Sequence, residues 1–288
     1  MSDNPDFGYV TRFIYKSTEI IIIKNIFEIK KVDKTFIKAI KTDILMEGTN
    51  LIDFISKNLK DEIIKDGDII VISSKIVSLS EGRLVNLRNV QVSEVGKALA
   101  VEFCIDEKFA QLIINERSLI LGGVKKVVAT INKNIVIPSA GADLSNTPPG
   151  YAILWPKNPS RTAFEIRNFF SKSRNVKTGV IISDSQIVPL RTGTYGIALG
   201  IAGFIGVVDK RGSIDIFGKE MKVTRWNLAD NLASAANLIM GEGEERKPIA
   251  IIRDAPITLT DEDPSKLTQA LSMDEEECLL AQFLLNNS

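Results

Sequence analysis

The chain has 288 residues, 44% of them hydrophobic and 25% charged, with 36 basic and 36 acidic side chains in balance. That is an ordinary globular composition, and it excludes a general electrostatic pull toward nucleic acid or an anionic membrane. There is no histidine, so one chain cannot build Ser-His-Asp or Cys-His catalysis or a His-ligated zinc, which leaves carboxylates, Lys, Arg, hydroxyls, backbone amides and a hard metal such as Mg²⁺ or Mn²⁺.

The first 40 residues read as strands, "FIYKSTEIIIIK" and "IFEIKKV", preceded by an N-terminus without a secretory pattern. In "TNLIDFISKNLKDE", Leu51, Ile55 and Leu59 recur at helical spacing. "DGDIIVISSKIVSLS" reads as a turn, a buried strand, a polar break and a second extended piece. Two helices are predicted over "VSEVGKALAVEFCID" and "EKFAQLIINE", then a hairpin over "KKVVATINKNIVIP". "NPSRTAFEIRNFFSK" is a helix capped by Asn158 or Ser160. "TGVIISDSQIVPL" repeats the strand, polar break, extended piece of "IIVISSKIV". The alternatives for this echo are two buried strands surfacing, or two strand ends presenting polar groups to one cleft. "LADNLASAANLIMGEGEER" is an Ala-rich helix ended by Gly241, and "PIAIIRDAP" a late strand. Without a regular βαβ beat the class is α+β, with mixed or antiparallel sheets, packed helices and two lobes. The acidic tail is predicted to form an amphipathic helix over residues 274–285.

No apolar run spans a bilayer; "IALGIAGFIGVV" stops after 12 residues. The glycines around it are spaced for close backbone packing. Cys104 and Cys278 make no metal-ligand spacing and suit reduced thiols, so a cytoplasmic protein is expected. Phosphate-loop and dinucleotide fingerprints are absent. Three acids stand where apolar elements end, among Gly, Ser or Asn: Asp143 in "GADLSN", Asp184 in "ISDS" and Glu242 in "MGEGEE". Each alone suits a cap or a solvated surface group; converging, they would suit one or two hard cations.

Five blocks in order carry a resemblance: "DGDIIVISSKIVSLSEGRLV", "IPSAGADLSN", "WPKNPSRTAFEIR", "VIISDS" with the following P-L-R-T-G, and the long run "ALGIAGFIGVVDKRGSIDIFGKEMKVTRWNLADNLASAANLIMGE". They resemble the coenzyme F420-0:γ-glutamyl ligase family. The resemblance implies a ligase domain over residues 42–256, between an N-terminal extension (1–41) and the acidic tail (257–288). It implies an intertwined homodimer that joins L-glutamate to a carboxylate acceptor with GTP and Mg²⁺ or Mn²⁺. Site roles follow from the same resemblance: metal ligation by Asp143, Asp184, Ser185 and Glu242. Nucleotide contacts fall to Ser74, Lys75, Asn146 and the loop holding Gly241 and Gly243, with Lys75, Asp143 and Asp184 catalytic. Where the family usually has Phe-Gly-Arg-Pro, this chain has Gln186, Ile187, Val188 and Pro189, so a phosphate-free acceptor such as a folate stands as the alternative to F420-0. A non-catalytic nucleotide-binding homologue is the other alternative.

Overall fold

Residues 34–281, apart from positions 118 and 275, are described by the structure, a computed structural model. The predicted strands of the first 32 residues lie outside the described residues.

From the N-terminal side the elements are β1 (Phe36–Ile40), α1 (Leu51–Asn58), β2 (Ile69–Ser73), α2 (Ser74–Ser80) and β3 (Leu84–Asn86). Next come α3 (Glu94–Phe103), α4 (Glu107–Glu116), β4 (Leu119–Val124), β5 (Val127–Asn132), β6 (Ile135–Pro138) and β7 (Tyr151–Ile153). The chain continues through α5 (Pro159–Arg174), β8 (Gly179–Ile187), β9 (Thr194–Ala202), β10 (Val207–Asp209), β11 (Arg225–Asn227), α6 (Leu228–Met240), β12 (Ile249–Arg253) and α7 (Pro264–Gln269). The class is α+β.

The central sheet has the order β1-β12-β2-β8-β9, antiparallel except for the β2–β8 pair. β2 is apolar without alternation because both its faces are covered. Ile70 and Ile72 enter a core with Ile55, Ile166 and Phe170 from α1 and α5. Ile69 and Val71 enter one with Leu232, Ala233 and Ala236 from α6. A third core joins α3 and α4 to the β4-β5-β6 sheet. The glycine spacing of β9 is explained by what it touches. A Cβ on Gly196 would collide with the α6 backbone at Ala233, and one on Gly200 with Pro159 and Ser160 at the start of α5.

Three elements differ from the sequence reading. The piece after "SSK" is a helix, α2, not an extended segment: the Ser73 side chain accepts the Lys75 N–H, and Ile76 and Val77 pack into the core, which overrides their β preference. The polar stretch "SDSQ" does not break its strand. β8 runs through it with an irregular register at Ile182/Ser183, so Asp184 lies inside a strand rather than after one. In the tail, residues 276, 277, 279 and 280 form turns, and the rest of the predicted helix falls mostly outside the described residues. Earlier in the tail the described residues hold α7, capped by Asp263 with Pro264 in its first turn.

Candidate functional site

The echo between the two strand ends is resolved by their pairing. β2 and β8 run parallel in register, Ile69 to Gly179 through Ser73 to Ser183, so both polar ends emerge side by side. α2 starts at that edge and carries Ser74 and Lys75.

Asp143 reaches the same edge from the opposite direction. After β6 the backbone takes three consecutive left-handed residues, Ser139 (φ 53), Ala140 (φ 55) and Gly141 (φ 80). Non-glycine residues hold such angles only where neighbours impose them. Here the buried Thr130 of β5 accepts the Ala140 N–H at 2.8 Å, and buried Asn132 donates to the Ala140 carbonyl at 2.7 Å. The kink delivers Asp143 to a two-hydrogen-bond bridge with Ile153.

Lys75 joins the two acids. Its ammonium lies 2.7 Å from Asp143 Oδ2 and donates to Ser145 Oγ at 2.8 Å. Burial alone would raise the Asp143 carboxyl. The Lys75 charge and the Ser145 N–H and hydroxyl outweigh it and hold the group below the usual carboxylate range. Asp184 is the opposite case. Burial pushes its carboxyl up to about 6, against donation from the Ser185 N–H (2.8 Å), the Trp155 indole N–H and the Ser74 hydroxyl, with Lys75 adding favourable charge. Trp155 is 3% exposed and stacks on Gly141, where any Cβ would strike the indole. One side chain thereby touches both acid-bearing segments.

A cavity of about 970 Å³ opens here. Of the residues singled out from sequence, Lys75, Asn146, Asp184, Ser185, Gly241, Glu242 and Gly243 line it. Ser74 and Asp143 are not among its lining residues and connect to it through Asp184 and Lys75. Asn146 spans the mouth, its amide donating to the Glu242 carbonyl at 3.4 Å. Gly241 ends α6 with its N–H on Asn237, and the Gly243 N–H is held by Glu245 at 2.8 Å. Glu242 is turned away from the other two acids: its Oε1 accepts from Asn237 (2.9 Å) and Thr194 (3.1 Å). Among the described residues no three His, Cys, Asp or Glu side chains converge on one metal position. Sequence reasoning missed Lys41, Arg246 and Lys247, which also line the cavity. Their signal is faint, because each sits in a mixed charge run. They are brought in by the Thr42 N–H bonding the Arg246 carbonyl at 2.9 Å.

A family model described as F420-0:Gamma-glutamyl ligase matches residues 39–254. The chain belongs to the F420-0:gamma-glutamyl ligase family. It is 36% identical over 207 residues to the coenzyme F420:L-glutamate ligase of Methanopyrus kandleri, covering 72% of this chain and 81% of that one. Against the Methanocaldococcus jannaschii protein of the same name the identity is 40% over 195 residues, covering 67% and 78%. Against that of Archaeoglobus fulgidus it is 32% over 210 residues, covering 73% and 83%. Membership of this ligase family makes the chain a ligase in class, and the cavity at the β2–β8 edge its candidate active site. Among the described residues no helix is long and apolar enough to cross a membrane.

Proposed function

We propose that this F420-0:gamma-glutamyl ligase family member is a cytoplasmic enzyme that uses GTP and a divalent cation to join L-glutamate to the carboxylate of F420-0. The observation that carries the reading is Lys75, which contacts Asp143 and lies within charge range of Asp184, at the wall of a cavity containing both signs of charge. A polyphosphate with its cation needs both signs; a bare anion needs only one.

The donor set fits Mg²⁺ or Mn²⁺. Asp143, Asp184 and the Ser185 hydroxyl offer oxygen, and the raised Asp184 carboxyl is a buried group short of counter-charge. Such a cation, when bound, neutralises the phosphoryl oxygens. Glu242 belongs to the same proposal from the opposite wall. In this reading Lys75 steadies the γ-phosphate, and Asn146 with the Gly241–Gly243 loop holds the nucleotide. An acceptor carboxylate oxygen attacks the γ-phosphorus, the bond to the bridging oxygen breaks, and GDP leaves. The glutamate amine then attacks the acyl carbon, loses its proton, and expels phosphate. No step needs an imidazole.

The proposal includes a homodimer, supported by apolar side chains left exposed between β10 and β11, such as Ile216 (92%) and Phe217 (81%). The test of the chemistry is an isotope transfer. With ¹⁸O in the acceptor carboxylate, GTP, Mg²⁺ and glutamate, one label appears in the released phosphate for each amide formed. Amide formation with unlabelled phosphate refutes the acyl phosphate, and no acceptor-dependent GTP cleavage refutes the ligase. Product masses with tetrahydrofolate in place of F420-0 decide the acceptor.

A further inference from the structure

A second cavity, of about 480 Å³, is lined in part by Trp155 and Gln186. Asp184 and Gln186 are two residues apart on β8 and so share a face; Asp184 lines the first cavity and Gln186 the second. Trp155 lines the second cavity while its indole N–H is bonded to Asp184. A molecule resting against Trp155 is therefore one indole away from the acid of the first site.

The lining selects the chemistry. Trp155, Ile197 and Leu199 form one apolar cluster with Tyr195 packed against it, and all four face the cavity. Lys133 is committed elsewhere: its ammonium donates to the Pro156 and Lys157 carbonyls at 2.7 and 2.8 Å. Asp230 adds a carboxyl to the wall, and burial raises its pKa. A dicarboxylic amino acid would meet Asp230 here and, with Lys133 committed, the Lys157 ammonium alone to balance it, whereas the first cavity supplies Lys41, Arg246 and Lys247. A flat, mostly apolar ring system finds two aromatic rings, aliphatic walls and the Gln186 amide for orientation.

The geometry points to the second cavity as the seat of the acceptor's aromatic body, with the acceptor's carboxylate arm passing Trp155 into the first cavity. The inference rests on the ligase reading and goes beyond it in one respect. Part of this wall, Thr268, Leu271 and Met273, comes from a segment beyond the family-matched residues 39–254. That segment is fixed to the sheet by the Ile201 N–H, which donates to Thr268 Oγ1 at 3.0 Å. Acceptor choice is thus set partly by residues that the family match does not cover.

The chain has two tryptophans, and Trp226, on β11 under the Lys210 ammonium, lines neither cavity. In a Trp226→Phe background the remaining emission reports Trp155 alone. Titration with F420-0 without nucleotide is expected to change that emission saturably. In steady state, Tyr195→Ala and Leu271→Ala are each expected to raise KM for F420-0 at least tenfold, with KM for GTP and for glutamate within twofold of wild type. Two variants on separate elements guard against one misfolding. Normal glutamylation with a silent Trp155 and unchanged acceptor KM in both variants overturns the inference. Saturable quenching by F420-0 with no glutamylation overturns the ligase reading and leaves the cavity assignment standing. Neither quenching nor turnover overturns both.

Discussion

Arg253, the last residue of β12, is expected to be worth more to stability than any exposed ion pair of this chain. Its guanidinium grips Asp68 with both arms, Nε to Oδ1 at 2.8 Å and Nη2 to Oδ2 at 2.7 Å, and also donates to the Ile63 carbonyl. Asp68 is 1% exposed, and its remaining donor is the Lys65 N–H at 2.8 Å. Arg253→Met strips a buried carboxylate of two of its three donors. Two charge-assisted hydrogen bonds at about 1.5–3 kcal/mol each suggest a loss of about 3–6 kcal/mol, overlapping the roughly 3–5 kcal/mol cost of stranding a buried charge. For a domain of this size that lowers Tm by on the order of 10 °C. The double variant Asp68→Asn/Arg253→Met removes the stranded charge and should recover most of the loss. Urea unfolding followed by circular dichroism measures all of the terms. A single variant within about 1 kcal/mol of wild type, or a double variant no better than the single, refutes the reasoning. The pair lies at the far end of β12 from the Gly241–Gly243 loop, so turnover at low temperature should be unchanged.

Other consequences concern the site and its supports. Asp143→Asn and Asp184→Asn should abolish glutamylation while each protein still unfolds cooperatively; near-wild-type turnover in either would remove that acid from the mechanism. Asn146→Ala breaks the tie to the Glu242 carbonyl and should weaken nucleotide binding roughly five- to tenfold, about 1 kcal/mol, by titration calorimetry. Gly196→Val forces a side chain into the α6 backbone at Ala233; a destabilisation of about 1–3 kcal/mol is expected, and a neutral result would mean that α6 shifts freely. Asp230 has a pKa raised chiefly by burial, so the folded state holds that proton more tightly than the unfolded chain. Its charge opposes folding as pH rises from the ordinary carboxylate range through the raised value. Asp230→Asn should lack that slope as pH rises above the ordinary carboxylate range, and parallel stability profiles would contradict it.

The sequence was legible where burial is symmetric and capping is local. The unbroken "IIVI" of β2 announces a strand covered on both faces, and Asn158 announces the start of α5 by accepting the Arg161 N–H. It misled where polarity and secondary structure part company. Ser183 to Gln186 look like a loop, yet they extend β8 because β9 pairs with them to Ile187. The β-branched "KIV" looks extended, but Ser73 caps it into a helix. Of the site, Asp143, Lys75 and Asp184 were marked by their motif blocks. Their assembly was not readable, since it depends on the parallel register of β2 with β8 and on a left-handed kink at non-glycine residues. Trp155 carries no motif signal of catalysis: its role comes from touching Gly141 and Asp184, which stand 14 residues before it and 29 after it in the chain.

The kink ahead of Asp143 has a consequence for how mutations in this protein should be interpreted. The left-handed turn is braced by Thr130 and Asn132, which lie on β5, are buried, and line neither cavity. Losing the Thr130 hydroxyl is expected to free Ala140 to relax toward ordinary angles and to shift Asp143 relative to Lys75. A genetic screen for lost activity would therefore recover Thr130→Val beside variants of Asp143 and Asp184, and inspection of the pocket alone would not explain it. Thr130→Ser keeps the acceptor oxygen and would pass the same screen.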